Sequence, residues 1–335
     1  MFELPLLLVL IVLTALIFDF TNGAHDCANA IATVVSTKVA TPRMAVAMAA
    51  VLNLLGALLG TEVAKTLGGG LVFPEMVEGS QILVFAALVG AIVWNLLTWY
   101  LGIPSSSSHA LIGGLLGAAW AHAGFAAINF SGVVGKVILP FIGSPLAGFC
   151  AGFVAMLIVA WICASHRRSR VNAWFRKLQL VSAGFMALSH GLNDAQKTMG
   201  VITLALLLFG EIDSVEIPLW VKLVCAGAMC MGTAVGGWKI VKTMGHRIFK
   251  LEPVHGFAAE TATGCVITCA SLMGAPVSTT HTVSAAIFGV GSSKRLSAVR
   301  WGVAGQLVTA WVLTLPCAGA VGALSYKILH LIWPS

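Results

Sequence analysis

The sequence predicts an all-α polytopic membrane protein, with about 10–12 membrane segments arranged in two inverted-topology repeats that include broken helices and helical hairpins. Three observations lead there. Of the 335 residues, 59% are hydrophobic and only 9% are charged, against roughly 25% charged in a soluble domain, so the chain lacks the polar surface to face water all round. Long uncharged apolar runs recur, and in lipid only a helix or a closed barrel satisfies its own backbone; these runs are too long and too even for barrel strands. Three short motifs also occur twice, in the same order, on either side of a basic segment near the middle of the chain.

The first run, Leu4 to Phe18, carries no charge. Glu3 stands where a secretory leader has positive charge, and no clean small-residue cleavage site follows, so this stretch is expected to stay as the first membrane helix. The first motif comes next: Asn22-Gly23-Ala24-His25-Asp26-Cys27-Ala28-Asn29, matched by His190-Gly191-Leu192-Asn193-Asp194-Ala195-Gln196-Lys197. A carboxylate inside a membrane segment costs about 2.5–3.5 kcal/mol on insertion scales, so two at equivalent places need a reason. The expectation is that the helices unwind at Gly23 and Gly191, and that Asp26 and Asp194, with Asn29 and Gln196, meet a coupling cation near the midplane. The plainer alternative is a structural hydrogen bond to a neighbouring helix end. Histidine as a residue type can exchange a proton near neutral pH, which makes His25 a candidate for proton coupling or a structural donor. Lys197, the one lysine within either motif, is expected to neutralise Asp194 or to help hold an anion.

The second motif pair is Glu62-Val63-Ala64-Lys65-Thr66-Leu67-Gly68 and Lys239-Ile240-Val241-Lys242-Thr243-Met244-Gly245. The third is Pro104-Ser105-Ser106-Ser107-Ser108-His109 and Pro276-Val277-Ser278-Thr279-Thr280-His281. Proline ends one helix and favours the start of another. The hydroxyls of Ser105, Ser106, Ser107, Ser108, Ser278, Thr279 and Thr280 would then stand beside free N–H groups at two helix starts, a set of neutral donors suited to a tetrahedral oxyanion. N-capping and helix–helix hydrogen bonding are the alternative for these residues. His109 and His281 are expected either to close each hairpin by a hydrogen bond or to touch the substrate. Glu260 lies in an apolar stretch sixteen residues before Pro276. No counterpart is evident in the first half, and a proton or cation site or a salt bridge are its two readings.

Loop charges orient the halves. Lys38 and Arg43 follow the first motif in one half, whereas Glu211, Asp213 and Glu216 follow it in the other. One step later Glu75 and Glu78 stand against Lys242, His246, Arg247 and Lys250. Matching segments therefore face opposite sides. The densest basic cluster, Ser165-His166-Arg167-Arg168-Ser169-Arg170 with Arg176 and Lys177, is placed in the cytoplasm by the positive-inside bias. The chain thus divides into an N-terminal repeat (1–164), a cytoplasmic basic linker (165–179) and a C-terminal repeat (180–335), with both termini outside. Net charge is +7, but it sits in membrane-flanking loops, so nucleic acid is not the expected partner; lipid is. The eight cysteines form no CxxC pair and point to packing, with no resident metal or cofactor.

The paired G-x-[HN]-D and P-x-S-[ST]-[ST]-H segments resemble the inorganic phosphate transporter (PiT) family, from about Leu16 to the C-terminus, and Gly23 to Ala30 is most similar to the bacterial low-affinity phosphate carriers. That resemblance implies about twelve membrane segments, alternating access, a homodimer, a bacterial cytoplasmic (inner) membrane location, proton coupling, and acceptance of neutral metal–phosphate complexes. It places substrate and cation contacts at Asn22, Asp26, Asn29, Asn193, Asp194 and the two Ser/Thr hairpins, and matches Glu260 to a family glutamate important for phosphate handling. His25 and Asn53 depart from the sodium-coupled relatives, which carry Asn and Glu there. The expectation is a secondary symporter of inorganic phosphate and not an enzyme, with protons or alternatively sodium as the coupling ion and a divalent metal as a possible co-substrate. Two rivals remain at this point. One is a permease for sulfate or another oxyanion on the same fold. The more remote one is an intramembrane hydrolase using Ser108, His109 and Asp26, disfavoured because adjacent Ser and His seldom orient for proton transfer and no nucleophile elbow is present.

Overall fold

The computed structural model describes residues 5–67, 71–73, 76 and 81–332. The elements run α1 (Leu6–Ser36), α2 (Pro42–Leu58), α3 (Glu62–Leu67), α4 (Gln81–Leu101), α5 (Ser107–Ala123), α6 (Leu139–Cys163), α7 (Arg168–Leu208), α8 (Leu219–Val235), α9 (Trp238–Lys242), α10 (Pro253–Leu272), α11 (Thr279–Lys294) and α12 (Trp301–Ile332). Short helical turns connect some of them, and no strand occurs among the described residues. The acidic loop residues Glu75 and Glu78, and Gly68 of the second motif, lie outside the described residues.

Local chemistry sets the boundaries. Thr41 caps α2 by accepting from Met44 N–H, with Pro42 in the first turn. Glu252 and His255 form a reciprocal capping box at α10, again with proline in the first turn. Among the described residues, five helices are long and apolar enough to cross a membrane, six if the bent pair α8 and α9 counts as one span. Helix α7 is longer still at 41 residues, but polar groups buried along its inner side lower its hydropathy. Leucine, isoleucine and tryptophan side chains such as Leu146, Trp161, Ile162, Leu223 and Leu313 are exposed on the outer helices, as a lipid-facing surface requires.

Helices α1 and α7 pack side by side in opposite directions. At one end Thr37 Oγ1 donates to Gln179 Oε1 at 2.8 Å; in the middle Asp26 meets His190 and Asp194. Buried polar residues recur on α1 at Asp19, Asn22, Asp26, Asn29 and Thr33, a spacing of three and four that puts them on one face. The facing side of α7 buries Gln179, Ser182, His190, Asp194 and Lys197. A polar seam therefore runs the length of the crossing.

Two hairpins reach this seam from opposite ends. The α4–α5 hairpin packs on the N-terminal half of α1, where Leu8, Ile11, Ala15 and Phe18 share a core with Val84, Leu88, Ala91 and Leu111. The α10–α11 hairpin packs on the C-terminal half, where Ile31 and Val34 share a core with Ala258, Ala259, Val283 and Ile287. Their tips meet at the centre, where the rings of His109 and His281 lie 4.9 Å apart. Both tips are built alike. Gly102 (φ 70°) and Gly274 (φ 68°) end α4 and α10 in the left-handed region. The next N–H groups, of Ile103 and Ala275, bond back to Thr98 O at 2.9 Å and Ala270 O at 2.8 Å, the Schellman arrangement.

The expected unwinding at Gly23 and Gly191 does not occur: α1 and α7 are continuous through both motifs. The glycines serve close approach instead. A Cβ on Gly23 would stand 2.5 Å from Met229 O, and one on Gly191 would stand 2.1 Å from Asn53 O. Helix breaks are found elsewhere, at the two hairpin tips and at Gly236 (φ 81°), where α8 and the segment beginning at Trp238 bend by 61°.

Candidate ion and anion site at the helix crossing

The centre is assembled from four elements. From α1, Asp26 Oδ1 pairs with His25 Nδ1 at 2.5 Å. From the first tip, Ser107 Oγ donates to Asp26 Oδ2 at 3.2 Å. From the second tip, Thr280 Oγ1 donates to Asp26 Oδ1 at 3.4 Å, and Thr279 Oγ1 donates to Asp194 Oδ2 at 3.0 Å. From α7, Lys197 Nζ binds Asp194 Oδ1 at 2.5 Å and Val277 O at 3.2 Å. Asn29 Nδ2 bridges to Thr279 Oγ1 at 3.2 Å and Thr280 Oγ1 at 2.9 Å. All of these side chains are buried.

An outer ring fixes the two histidines. His25 Nε2 lies 3.1 Å from Thr98 Oγ1 on α4, and Ser105 Oγ donates to the same hydroxyl at 2.9 Å. His190 Nε2 lies 3.1 Å from Asp194 Oδ2, while its Nδ1 meets Asn53 Oδ1 at 3.2 Å; Asn53 in turn donates to Thr233 Oγ1 at 3.0 Å. Ligand atoms of Asp26, His190 and Asp194 all lie within 4.8 Å of one another, close enough for one cation. Nitrogen and carboxylate oxygen together are a donor set that a divalent metal accepts.

The two helix starts are present as the sequence implies. Ser106 Oγ and Ser278 Oγ accept the N–H of His109 and His281 at 3.3 and 3.2 Å, so these two serines are N-caps. The first intrahelical bonds are Ala110 N to Ser106 O and Thr282 N to Ser278 O, which leaves the N–H groups of Ser107, Ser108, Thr279 and Thr280 to other acceptors at the positive ends of two dipoles.

Several expectations are revised. Gln196 takes no part in the centre: its Oε1 accepts from Val63 N–H at 2.8 Å and Ala64 N–H at 3.3 Å, because α3 starts beside it and needs acceptors for its first turn. Asn193 turns to α10, donating to Ser271 Oγ at 2.8 Å. Asn22 belongs to the same face of α1, with its Oδ1 buried and without a partner. His109 and His281 do not close their hairpins through the imidazoles. Nδ1 of His109 and both ring nitrogens of His281 have no hydrogen-bond partner; the rings pack with Phe141 and Trp311 instead. That geometry also removes the hydrolase reading, since Asp26 orients His25 and not His109.

Glu260 has no basic partner among the described residues. It accepts from Thr33 Oγ1 at 2.6 Å, Gln179 Nε2 at 2.9 Å and the hydroxyl of Ser182. Thr33 lies seven residues beyond Asp26, so this pocket stands about 10 Å from the centre along α1. Gln179, Ser182, Thr33, Thr98, His190 and Asp19 were not singled out by sequence reasoning. Only the three-and-four spacing along α1 signals Asp19 and Thr33; nothing in the sequence distinguishes Gln179 or Ser182 from ordinary polar residues near a helix end.

Two hairpins entering from opposite ends, their tips meeting on a buried carboxylate-lined crossing, define an inverted-repeat membrane carrier. The profile of the Phosphate transporter family matches residues 22–173 and 163–322, and the chain belongs to that family. It is 48% identical over 331 residues to a "Probable low-affinity inorganic phosphate transporter" of Bacillus subtilis (strain 168), covering 98% of this chain and 99% of the relative. A protein of the same description from Rhizobium meliloti (strain 1021) is 49% identical, with 97% of each chain covered. Among solved structures, "The sodium-dependent phosphate transporter" superposes with a TM-score of 0.87 over 97% of this chain and 99% of that one, at 24% identity; that likeness speaks for the fold.

Proposed function

We propose that this chain carries inorganic phosphate across a bacterial cytoplasmic membrane by symport with a cation, through alternating access at the α1–α7 crossing. The observation that carries the reading is the pairing of two anion-suited helix starts with Asp26 and Asp194. Phosphate differs from sulfate in keeping a proton to donate at neutral pH, and a site offering both hydroxyl donors and carboxylate acceptors suits it. Relatives spanning nearly the whole chain are named for the same substrate.

Coupling follows from charge. Asp19, Asp26, Asp194 and Glu260 are all buried, and Lys197 is the only buried lysine among the described residues. An anion added to such a site needs cations with it, because unpaired charge in a dry interior is costly. Protons are favoured over sodium by His25, which stands against Asp26, and by Asn53, a neutral residue held by His190 and Thr233. The Asp26, His190 and Asp194 group gives a divalent metal a place to travel with phosphate. In this reading the basic start of α7 faces the cytoplasm and both termini lie outside.

The test is uptake of radiolabelled phosphate into proteoliposomes under an inward proton gradient or an inward sodium gradient, with and without magnesium and with excess sulfate. Accumulation under the proton gradient, enhanced by magnesium and resistant to sulfate, is expected. Accumulation driven by sodium alone would move the cation assignment, and competition by sulfate at equal concentration would move the substrate.

A further inference from the structure

The polar face of α1 continues past the Asp26 centre toward the N-terminal end. Asp19 lies on that face seven residues before Asp26, fully buried, and neither of its carboxylate oxygens has a hydrogen-bond partner. Thr198 of α7 and Asn22, one turn further on, both approach the carboxyl group without completing a hydrogen bond to it, and Thr198 Oγ1 is itself buried and unpartnered. The charged groups in reach are Asp194 and Lys197 of α7, which already pair with each other at 2.5 Å. Cys225 faces Asp19 from α8.

Buried polar atoms in a membrane protein find partners, because the hydrocarbon offers none. Here two unpartnered carboxylate oxygens and an unpartnered hydroxyl gather beside the Asn22 amide, with one formal negative charge among them and no unpaired cation among the described residues in reach. An oxygen set of that charge suits a small hard monovalent cation. We propose that Asp19, with Asn22 and Thr198, is a second cation site, holding a proton or a sodium ion, separate from the Asp26–Asp194 centre and on the far side of it from Glu260. Asp19, Asp26 and the Glu260 pocket at Thr33 then follow one another along a single helix face at intervals of seven residues, about 10 Å apart. A cation entering from the N-terminal end of α1 meets Asp19 first. That consequence for transport rests on the symport reading; the binding of a cation at Asp19 does not.

The binding claim is tested in phosphate-free buffer on the purified full chain. The unfolding temperature is followed during a sodium titration at fixed pH and a pH titration without sodium, for the wild type, Asp19→Asn and Thr198→Val. Ligands that bind the folded state raise the unfolding temperature by mass action. Asp19→Asn is expected to lose a step in one titration, and the titration that loses it identifies the ion. Thr198→Val keeps the charge and removes one ligand oxygen, and is expected to shift the midpoint of that step roughly tenfold. Titrations of Asp19→Asn superimposable on the wild type would overturn the proposal. Should Asp19→Asn fail to fold, an unshifted midpoint in Thr198→Val would overturn it equally. Since no phosphate is present, a failure of phosphate uptake leaves this result standing, and the two claims fail separately.

Discussion

Lys197 and Asp194 show how much of this site depends on single atoms. Both are almost fully buried, with Nζ 2.5 Å from Oδ1, so each charge relies on the other. Lys197→Ala leaves the carboxylate with Thr279 and His190 alone, and breaking a buried pair from one side costs about 3–5 kcal/mol; thermal unfolding in detergent should show the loss. Removing Glu260 acts differently, since its partners are neutral. Glu260→Gln turns one acceptor of three hydrogen bonds into a donor facing donors, and should cost about 1–3 kcal/mol while leaving phosphate binding at the centre intact, measurable by equilibrium binding of labelled phosphate. At this scale the sequence was legible where residues came in repeated pairs. Asp26, Asp194, Ser107, Thr279 and Thr280 were found because the motif recurs, and they do meet. Gln196 and Asn193 sat in the same motif and point elsewhere, because a helix turns 100° per residue and neighbours in sequence leave on different faces. Asp19 fell one residue past the uncharged run that drew attention to the first helix.

Glycine shows what a motif leaves open at the scale of an element. Gly23 and Gly191 read as points of unwinding, and the packing of α8 and α2 against them shows that they are points of close helix contact instead. Gly191→Ala would push a methyl group to 2.1 Å from Asn53 O. Overpacking of this kind costs about 1–3 kcal/mol, and it would also displace the Asn53 that holds His190. A lower unfolding temperature together with weaker uptake is expected. Gly143→Ala on α6, where an added Cβ meets nothing within 4 Å, is the control, expected to be neutral or stabilising by up to about 1 kcal/mol. The hairpins were legible for a better reason. Proline followed by hydroxyls states both a helix end and a capped helix start, and the matched glycines Gly102 and Gly274 at φ 70° and 68° complete each turn. The outcome for His109 and His281 was not legible, since ring packing across the two tips depends on how the halves approach each other.

The inverted halves explain, at the scale of the whole molecule, why two similar tips can reach one centre from opposite ends of the same crossing. If one hairpin parts from α1 while the other stays, access alternates without moving Asp26 relative to Asp194. The symmetry is incomplete, and the departures are chemical: Lys197 has no match on α1, Glu260 none on α4, and Asp19 none on α7, where Ala187 stands. Acidic stations therefore lie to either side of the centre, and the proposed reading has that centre move phosphate and cation together. The most direct test of that claim is the lumenal pH of proteoliposomes when phosphate is added outside with no gradient imposed, read with a trapped pH-sensitive dye. Wild-type protein should acidify the lumen as phosphate enters, and Asp194→Asn should not. Entry of phosphate with no change in lumenal pH, or equal acidification by Asp194→Asn, would contradict proton symport at this crossing.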